Sequence, residues 1–447
     1  MNQQERAGFA TKFGVVAAAA GSAVGLGNIW RFPYVAGENG GGAFLLIYLL
    51  FVLGIGVPVM ISEFIIGRKS RRNPYGAFKA LAPSTPWPII GIMGIVAAFV
   101  ILAFYSTIAG WTIEYIIKSV QNGFNVGSTE EIFATFKSGT IKPLVWQFVF
   151  MLLTAFIVVL GVQKGIERYT KILMPVLVLL ILAMCIRSIT LDGASKGLSF
   201  LFKPDFSKIN INIILEALGQ AALSLSIGMG ALITYGSYIN KHNNLSVTAL
   251  QVGLADTLIA ILAGVMIFPA VFALGLDPQS GPGLVFEVLP KLFMKMPLGY
   301  YFSILFFILL AVAALTSTVS ILEVVVVSFS EEFKISRIKS VIISTAAIWI
   351  VGIFATLSFS DLSDFTIFGR TIFDNLDYIS ANILLPLGAL LIVVFLGWYL
   401  KIEIVREEFE TGANFKTRFF TAFYFILRFI APVAIIFVFL RSLGLFK

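Results

Sequence analysis

Eleven runs of mostly apolar residues divide the chain, near 13–36, 41–66, 89–117, 144–162, 172–190, 214–239, 247–275, 299–329, 339–358, 377–400 and 418–444. A bilayer core takes about 20 such residues in helical form, because a helix satisfies its own backbone donors and acceptors where water cannot. The pattern predicts an all-α polytopic membrane protein of about eleven transmembrane helices, in a single membrane domain over 1–447. Composition agrees: 58% of residues are hydrophobic and 13% charged, against roughly 25% charged in soluble domains. The segment 276–298 is cut by prolines and reads as a structured loop between spans.

The formal net charge of +8 would suggest nucleic acid in a soluble protein. Here the basic residues sit in short loops, where they set topology instead. The densest cluster, "RKSRR" at Arg68–Arg72, falls on the same side as the N-terminus, as do 163–171, 334–339 and 401–418. That side is expected to be cytoplasmic, and an odd number of spans puts the C-terminus outside. The first apolar run is too long for a signal-peptide core, so it is expected to be retained. Cys185 is the only cysteine and His242 the only histidine. No intrachain disulfide, cysteine cluster or histidine-based catalytic set can be assembled, and neither HExxH nor a partnered GxSxG occurs. An enzyme is not expected.

Two spans carry interruptions at their centres. The first holds Gly21, Ser22, Gly25, Gly27 and Asn28, followed by Arg31; the sixth holds Ser224, Ser226, Gly228 and Gly230. Glycine weakens a helix and arginine is costly in lipid. A lone pair of small residues would serve helix packing. Two clusters mixed with hydroxyl and amide oxygens, five spans apart, fit unwound helices in matching positions of a 5+5 inverted repeat. Repeat one would cover about 10–190 and repeat two about 212–400, with an extra helix at about 418–444. Unwinding frees carbonyls that suit a small hard cation, and a half-helix N-terminus that suits a carboxylate.

"GSAVGLGNIWRFPYVAGENGGGAFLLIY" (Gly21–Tyr48) resembles the first-span signature of the neurotransmitter:sodium symporter family, especially its bacterial carriers of hydrophobic and aromatic amino acids. The resemblance continues through "EFIIGR" (Glu63–Arg68), "FYSTIAGWTIEY" (Phe104–Tyr115), "SLSIGMGALITYGSY" (Ser224–Tyr238), "GPGLVF" (Gly281–Phe286) and "ALTSTVSILE" (Ala314–Glu323). Many members have twelve spans; eleven is a departure that leaves dimer contacts unassigned. The resemblance implies residence in a bacterial inner membrane and two sodium ions. The first would be held by the Ala23 carbonyl, Asn28, Ser224, Asp256 and the substrate carboxylate. The second would be held by the carbonyls of Gly21, Val24 and Ala313 and the hydroxyls of Thr316 and Ser317. Hydroxyls back-bonded to the preceding turn are the structural alternative for Thr316 and Ser317.

Asp256 stands where many members have Asn, and Ala260 where a serine would help hold chloride. The pair implies a fixed negative charge and chloride independence; a salt bridge is the structural alternative. Gly25 replaces the aspartate of amine carriers, so the substrate should bring its own carboxylate. That carboxylate would meet the amides of Leu26 and Gly27 and the Tyr105 hydroxyl. The ammonium would meet the carbonyls of Ala23 and Leu223 and the Ser226 hydroxyl. Ile101, Tyr105, Ser226, Met229, Ser317 and Ile321 would line an uncharged pocket. A charged side chain there would be unpaired, so neutral, hydrophobic or aromatic L-amino acids such as Leu, Tyr or Trp are expected. Leu223 replaces a common aromatic lid.

The resemblance also implies an outer gate pair, Arg31 with Asp377, and an inner pair, Arg6 with Glu331. Gln220 and Tyr238 would support them. Glu63, in span two, reads as a structural acceptor near the sixth-span break. A proton-coupled amino-acid carrier of the same architecture, with Asp256 as its proton site, and a non-transporting amino-acid sensor are the alternative functions. The expected partners are an amino-acid substrate and the lipid bilayer, with no nucleic acid.

Overall fold

The structure, a computed structural model, describes residues 8–125, 128–273, 275, 285–412 and 418–445. Among them, nine helices are long and apolar enough to cross a bilayer: Gly42–Ser70, Pro88–Val120, Ile141–Val159, Val162–Ile189, Leu245–Ala273, Gly299–Glu332, Arg337–Leu357, Ile372–Tyr399 and Phe419–Ser442. A tenth span is the pair Lys12–Ala23 and Gly27–Glu38, bent by 54°. An eleventh is the interrupted pair Ile211–Ser224 and Ala231–Gly236, whose arms are each too short to cross alone. The two broken spans are the first and the sixth. Within 276–298, where a structured loop is expected, the described part includes a short helix, Val288–Lys295.

Local signals set the helix starts. Thr11, Asn210, Ser336 and Thr371 each accept a hydrogen bond from a backbone amide of the first turn, replacing a partner the helix cannot supply. Span one is tied down a second way. The Glu167 carboxylate accepts from the amides of Ala10 and Thr11 at 2.7 and 3.1 Å, and pairs with Lys171 at 2.6 Å.

The spans pack in two groups. Spans three and eight, of 33 and 34 residues, pack on each other and on spans four and nine. At 1.5 Å per residue they run about 50 Å, longer than a hydrocarbon core of about 30 Å. Spans one, two, six and seven pack together in the second group. The two broken helices face each other there, with span eight alongside.

Candidate functional site at the paired helix breaks

The first break lies at Val24, whose backbone turns extended (φ −74°, ψ 107°). The carbonyls of Gly21 and Val24 are thereby released from the helical ladder. Both are met by span eight: Ser317 Oγ donates to Gly21 O at 3.4 Å and Val24 O at 3.2 Å, and Thr316 Oγ1 reaches Val24 O at 3.4 Å and Ala313 O at 3.0 Å. All five oxygens expected around the second ion are thus linked in one buried cluster, although the shorter Thr316 bond, to Ala313 O, is the back-bond to the preceding turn expected as its structural alternative.

The sixth span breaks at Leu225–Gly230. Gly228 and Gly230 take φ of 87° and 77°, and Ser226 sits at 55°. Glycine suits the first two positions because a Cβ disfavours the left-handed region. Glu63 stabilises this loop, its Oε1 accepting from Gly228 N–H at 2.7 Å. The structure therefore gives Glu63 the acceptor role read from sequence.

Between the breaks stands a second buried cluster around Asp256. One carboxylate oxygen accepts from Asn28 Nδ2 at 2.7 Å, both accept from Ser224 Oγ at 2.9 Å, and Oδ2 accepts from Tyr48 Oη at 3.1 Å. Asn28, Ser224 and Asp256 are brought together as expected, and Ala23 is buried. Asn28 differs in detail. Its amide oxygen, expected as an ion ligand, accepts from Gly25 N–H at 3.1 Å, while its NH2 group supplies the donors an anionic Asp256 needs. Tyr48 was missed by sequence reasoning. Its signal is its place at the end of the first-span motif, where a tyrosine hydroxyl interrupts an apolar run. Ala260, one turn beyond Asp256, is fully buried and brings no hydroxyl.

Of the expected substrate residues, Leu26, Tyr105, Ser226 and Ser317 meet at the first break. Tyr105 Oη accepts from Leu26 N–H at 3.1 Å. A Cβ on Gly25 would lie 2.5 Å from Ser317 Oγ and 3.0 Å from Tyr105 Oη, whereas one on Gly27 would meet nothing within 4 Å. Ser226 Oγ donates to Ser22 O at 2.9 Å, a bond that ties the two breaks together. Ile101, Met229 and Ile321 are buried. Leu223 is half-buried and lines a cavity of about 320 Å³ with Arg31, Gly219 and Ile227.

The family model described as the sodium:neurotransmitter symporter family matches residues 6–138 and 132–447. A sodium-dependent transporter of Bacillus subtilis, YhdH, is 42% identical over 100% of this chain and 99% of its own length. One from Haemophilus influenzae is 38% identical over 99% of each. The crystal structure of MhsT in complex with L-phenylalanine superposes with a TM-score of 0.90 at 47% identity, covering 98% of this chain and 100% of MhsT. The chain belongs to the sodium:neurotransmitter symporter family.

In this symporter the expected gates are arranged differently from simple ion pairs. Arg31 donates to Gln220 Oε1 at 2.7 Å, and Gln220 Nε2 donates to Gly27 O at 3.2 Å. Among the described residues, Arg31 and Asp377 form no ion pair within 4 Å; Asp377 is exposed. The amide of Gln220 satisfies the guanidinium next to the break, while Asp377 stands beyond ion-pair distance yet near enough for the two charges to act on each other. Arg6 lies outside the described residues. Its expected partner Glu331 accepts from Asn73, from the backbone N–H at 3.0 Å and Nδ2 at 2.9 Å.

The symporter's other end carries a cluster that sequence reasoning did not assemble. Buried Glu323 pairs with Arg337 at 2.6 Å and accepts from Tyr238 Oη at 2.7 Å, while Arg337 also donates to Val158 O. This links span six of one group to spans eight, nine and four of the other. Arg68 and Glu408, both about 2% exposed, pair at 2.7 Å and tie span two to the helix Ile402–Glu410.

Proposed function

We propose that this protein imports neutral hydrophobic or aromatic L-amino acids together with sodium, by alternating access and without chloride. The observation that carries the reading is the convergence of five hard oxygens, from Gly21, Val24, Ala313, Thr316 and Ser317, on the first helix break. Hard oxygen donors without sulfur or imidazole suit an alkali cation. These groups now bond one another; an ion would take the place of those hydrogen bonds.

A second ion would sit at the Asp256 cluster, bounded by Asn28, Ser224 and the Ala23 carbonyl. Asp256 supplies one full negative charge, so no chloride is needed to balance the ion. The amino-acid carboxylate would displace Tyr105 Oη from Leu26 N–H and complete the coordination of that ion. Each ligand then tightens the other, and the coupling is reciprocal. One charge crossing 100 mV is worth about 2.3 kcal/mol, so two ions would drive steep accumulation.

The close packing of Ser317 and Tyr105 on Gly25 leaves no room for the carboxylate that a free amine would require. The uncharged lining of Ile101, Met229 and Ile321, all buried, favours apolar side chains. Likeness to MhsT, crystallised with L-phenylalanine, supports the same class. The side bearing Arg68–Arg72 would face the cytoplasm. Arg31 and Gln220 would regulate the outer opening, and Glu331 with Arg6, aided by Tyr238, the inner one.

The test is uptake of labelled phenylalanine, leucine and tryptophan into proteoliposomes under an inward sodium gradient, with pH equal on both sides and gluconate as the only anion. Concentrative uptake is expected. Uptake that needs a proton gradient would favour the proton-coupled alternative. Binding without accumulation would favour a sensor.

A further inference from the structure

Span ten ends at Tyr399, and Lys401 follows, exposed. The next helix, Ile402–Glu410, carries Glu403, Arg406, Glu407 and Glu410, a composition no hydrocarbon layer accepts. Trp398 is 56% exposed and Tyr399 44%. Exposed Trp and Tyr at a span end mark the membrane–water boundary. Trp398 and Tyr399 therefore lie in the interfacial layer.

Arg428 of span eleven is held at this depth. Its guanidinium lies 4.4 Å from the Trp398 ring centroid and 5.7 Å from that of Phe429. Trp398 Nε1 donates to Arg428 O at 3.1 Å, and Tyr424 Oη donates to Gly397 O at 2.9 Å. Gly397 allows the contact: a Cβ there would be 3.3 Å from Arg428 Cα. The backbone of Arg428 is thus fixed, and its head group lies over the Trp398 ring.

The charge itself is not answered. Among the described residues, no carboxylate lies within 4 Å of Arg428, and its Nε is buried without an acceptor. Arg68, Arg337 and Arg441 each have a carboxylate at 3.1 Å or less. A guanidinium lying over an indole face leaves its terminal N–H groups available, and these match the oxygens of a phosphate.

We propose that Arg428, Trp398 and Lys401 form a binding site for the phosphate of an anionic phospholipid. The indole presents the guanidinium, and Lys401, two residues beyond Tyr399 on the same boundary, supplies a second cation. Exposed Phe425 and Phe429 (55% and 48%) flank the site on span eleven and would lie along the acyl chains. Two cations select a lipid with net negative charge over one whose own ammonium balances its phosphate. The apolar flanks select a lipid over inorganic phosphate.

The test uses the full chain, delipidated and returned to phosphatidylcholine with or without phosphatidylglycerol, with retained lipid read by native mass spectrometry. The wild type is expected to hold a phosphatidylglycerol adduct and to gain thermal stability from it. Arg428→Gln should weaken retention at least roughly five-fold, the factor for one surface cation. Trp398→Ala, which keeps the charge but removes its platform, should weaken it as well. Arg406→Gln, on the adjoining helix, should leave retention unchanged. Three results overturn the proposal: equal retention by wild type and by folded Arg428→Gln and Trp398→Ala; equal retention of phosphatidylcholine; or full displacement of the lipid by millimolar inorganic phosphate.

Discussion

Replacing Asp256 with asparagine keeps the side chain's shape and removes its charge. Asp256 is fully buried and accepts from three donor groups, Asn28, Ser224 and Tyr48, at 2.7 to 3.1 Å. An ion among these groups would stand about 4 Å from the centre of the carboxylate charge. At an effective dielectric of about 20, that attraction is about 4 kcal/mol, or roughly a thousand-fold in sodium affinity. Folding should suffer less. The amide retains an acceptor for Asn28 or Tyr48, and one misplaced donor costs about 1–3 kcal/mol. The assay is binding of labelled phenylalanine across a sodium titration in gluconate, with thermal unfolding of both proteins in parallel. A large rightward shift in sodium dependence, exceeding the stability loss, is expected. An unchanged sodium requirement in Asp256→Asn, or a wild type that fails to bind in gluconate, would refute the assignment of Asp256 as the fixed counter-charge.

Ser317→Ala removes the hydroxyl shared by Gly21 O and Val24 O, and should lower the steepness of the sodium titration along with substrate affinity. Gly228→Ala forces a side chain to φ 87° and places a Cβ 2.5 Å from Leu385 O; it should cost more than the about 1–2 kcal/mol of the left-handed backbone alone, measured as a drop in Tm with loss of binding. Arg68→Ala leaves buried Glu408 with the more distant Lys69 at 3.8 Å and should destabilise by up to about 3–5 kcal/mol, whereas Arg68→Met combined with Glu408→Leu should recover much of that loss. The Lys69 ammonium, 2.8 Å away, holds the Glu407 carboxyl below the ordinary carboxylate range. A depressed carboxyl stabilises above its unfolded value and loses that contribution as pH falls through its folded one. Acid unfolding below about pH 4 should therefore be shallower in Lys69→Gln than in the wild type.

How much of the site could be read in advance depended on where each residue sits. Ser317 and Thr316 were legible because hydroxyls stand out in an apolar run and because the motif around them is long. Gly228 and Gly230 were legible as a break, and the left-handed backbone at both explains why glycine is there. Tyr48 was legible only as a hydroxyl in an apolar run, not as a partner of Asp256. Its partner Asp256 lies 208 positions away, and nothing near Tyr48 in sequence announces a carboxylate. Arg31 was legible as costly in lipid, and its expected contact with Gln220 is made, whereas the expected ion pair with Asp377 is not closed within 4 Å. An arginine can be answered by any acceptor within reach, and sequence does not measure reach.

The chain by itself determined its spans and its two interruptions. In lipid the backbone must bond within its own segment, so each span is written in about 20 consecutive residues, and each break in the few that cannot continue the helix. Which oxygens meet was decided only in three dimensions. The Thr316 and Ser317 hydroxyls reach carbonyls some 290 residues away, and Arg68 reaches Glu408 across 340. Such pairings follow from how helices pack side by side, a geometry that no local window of sequence contains.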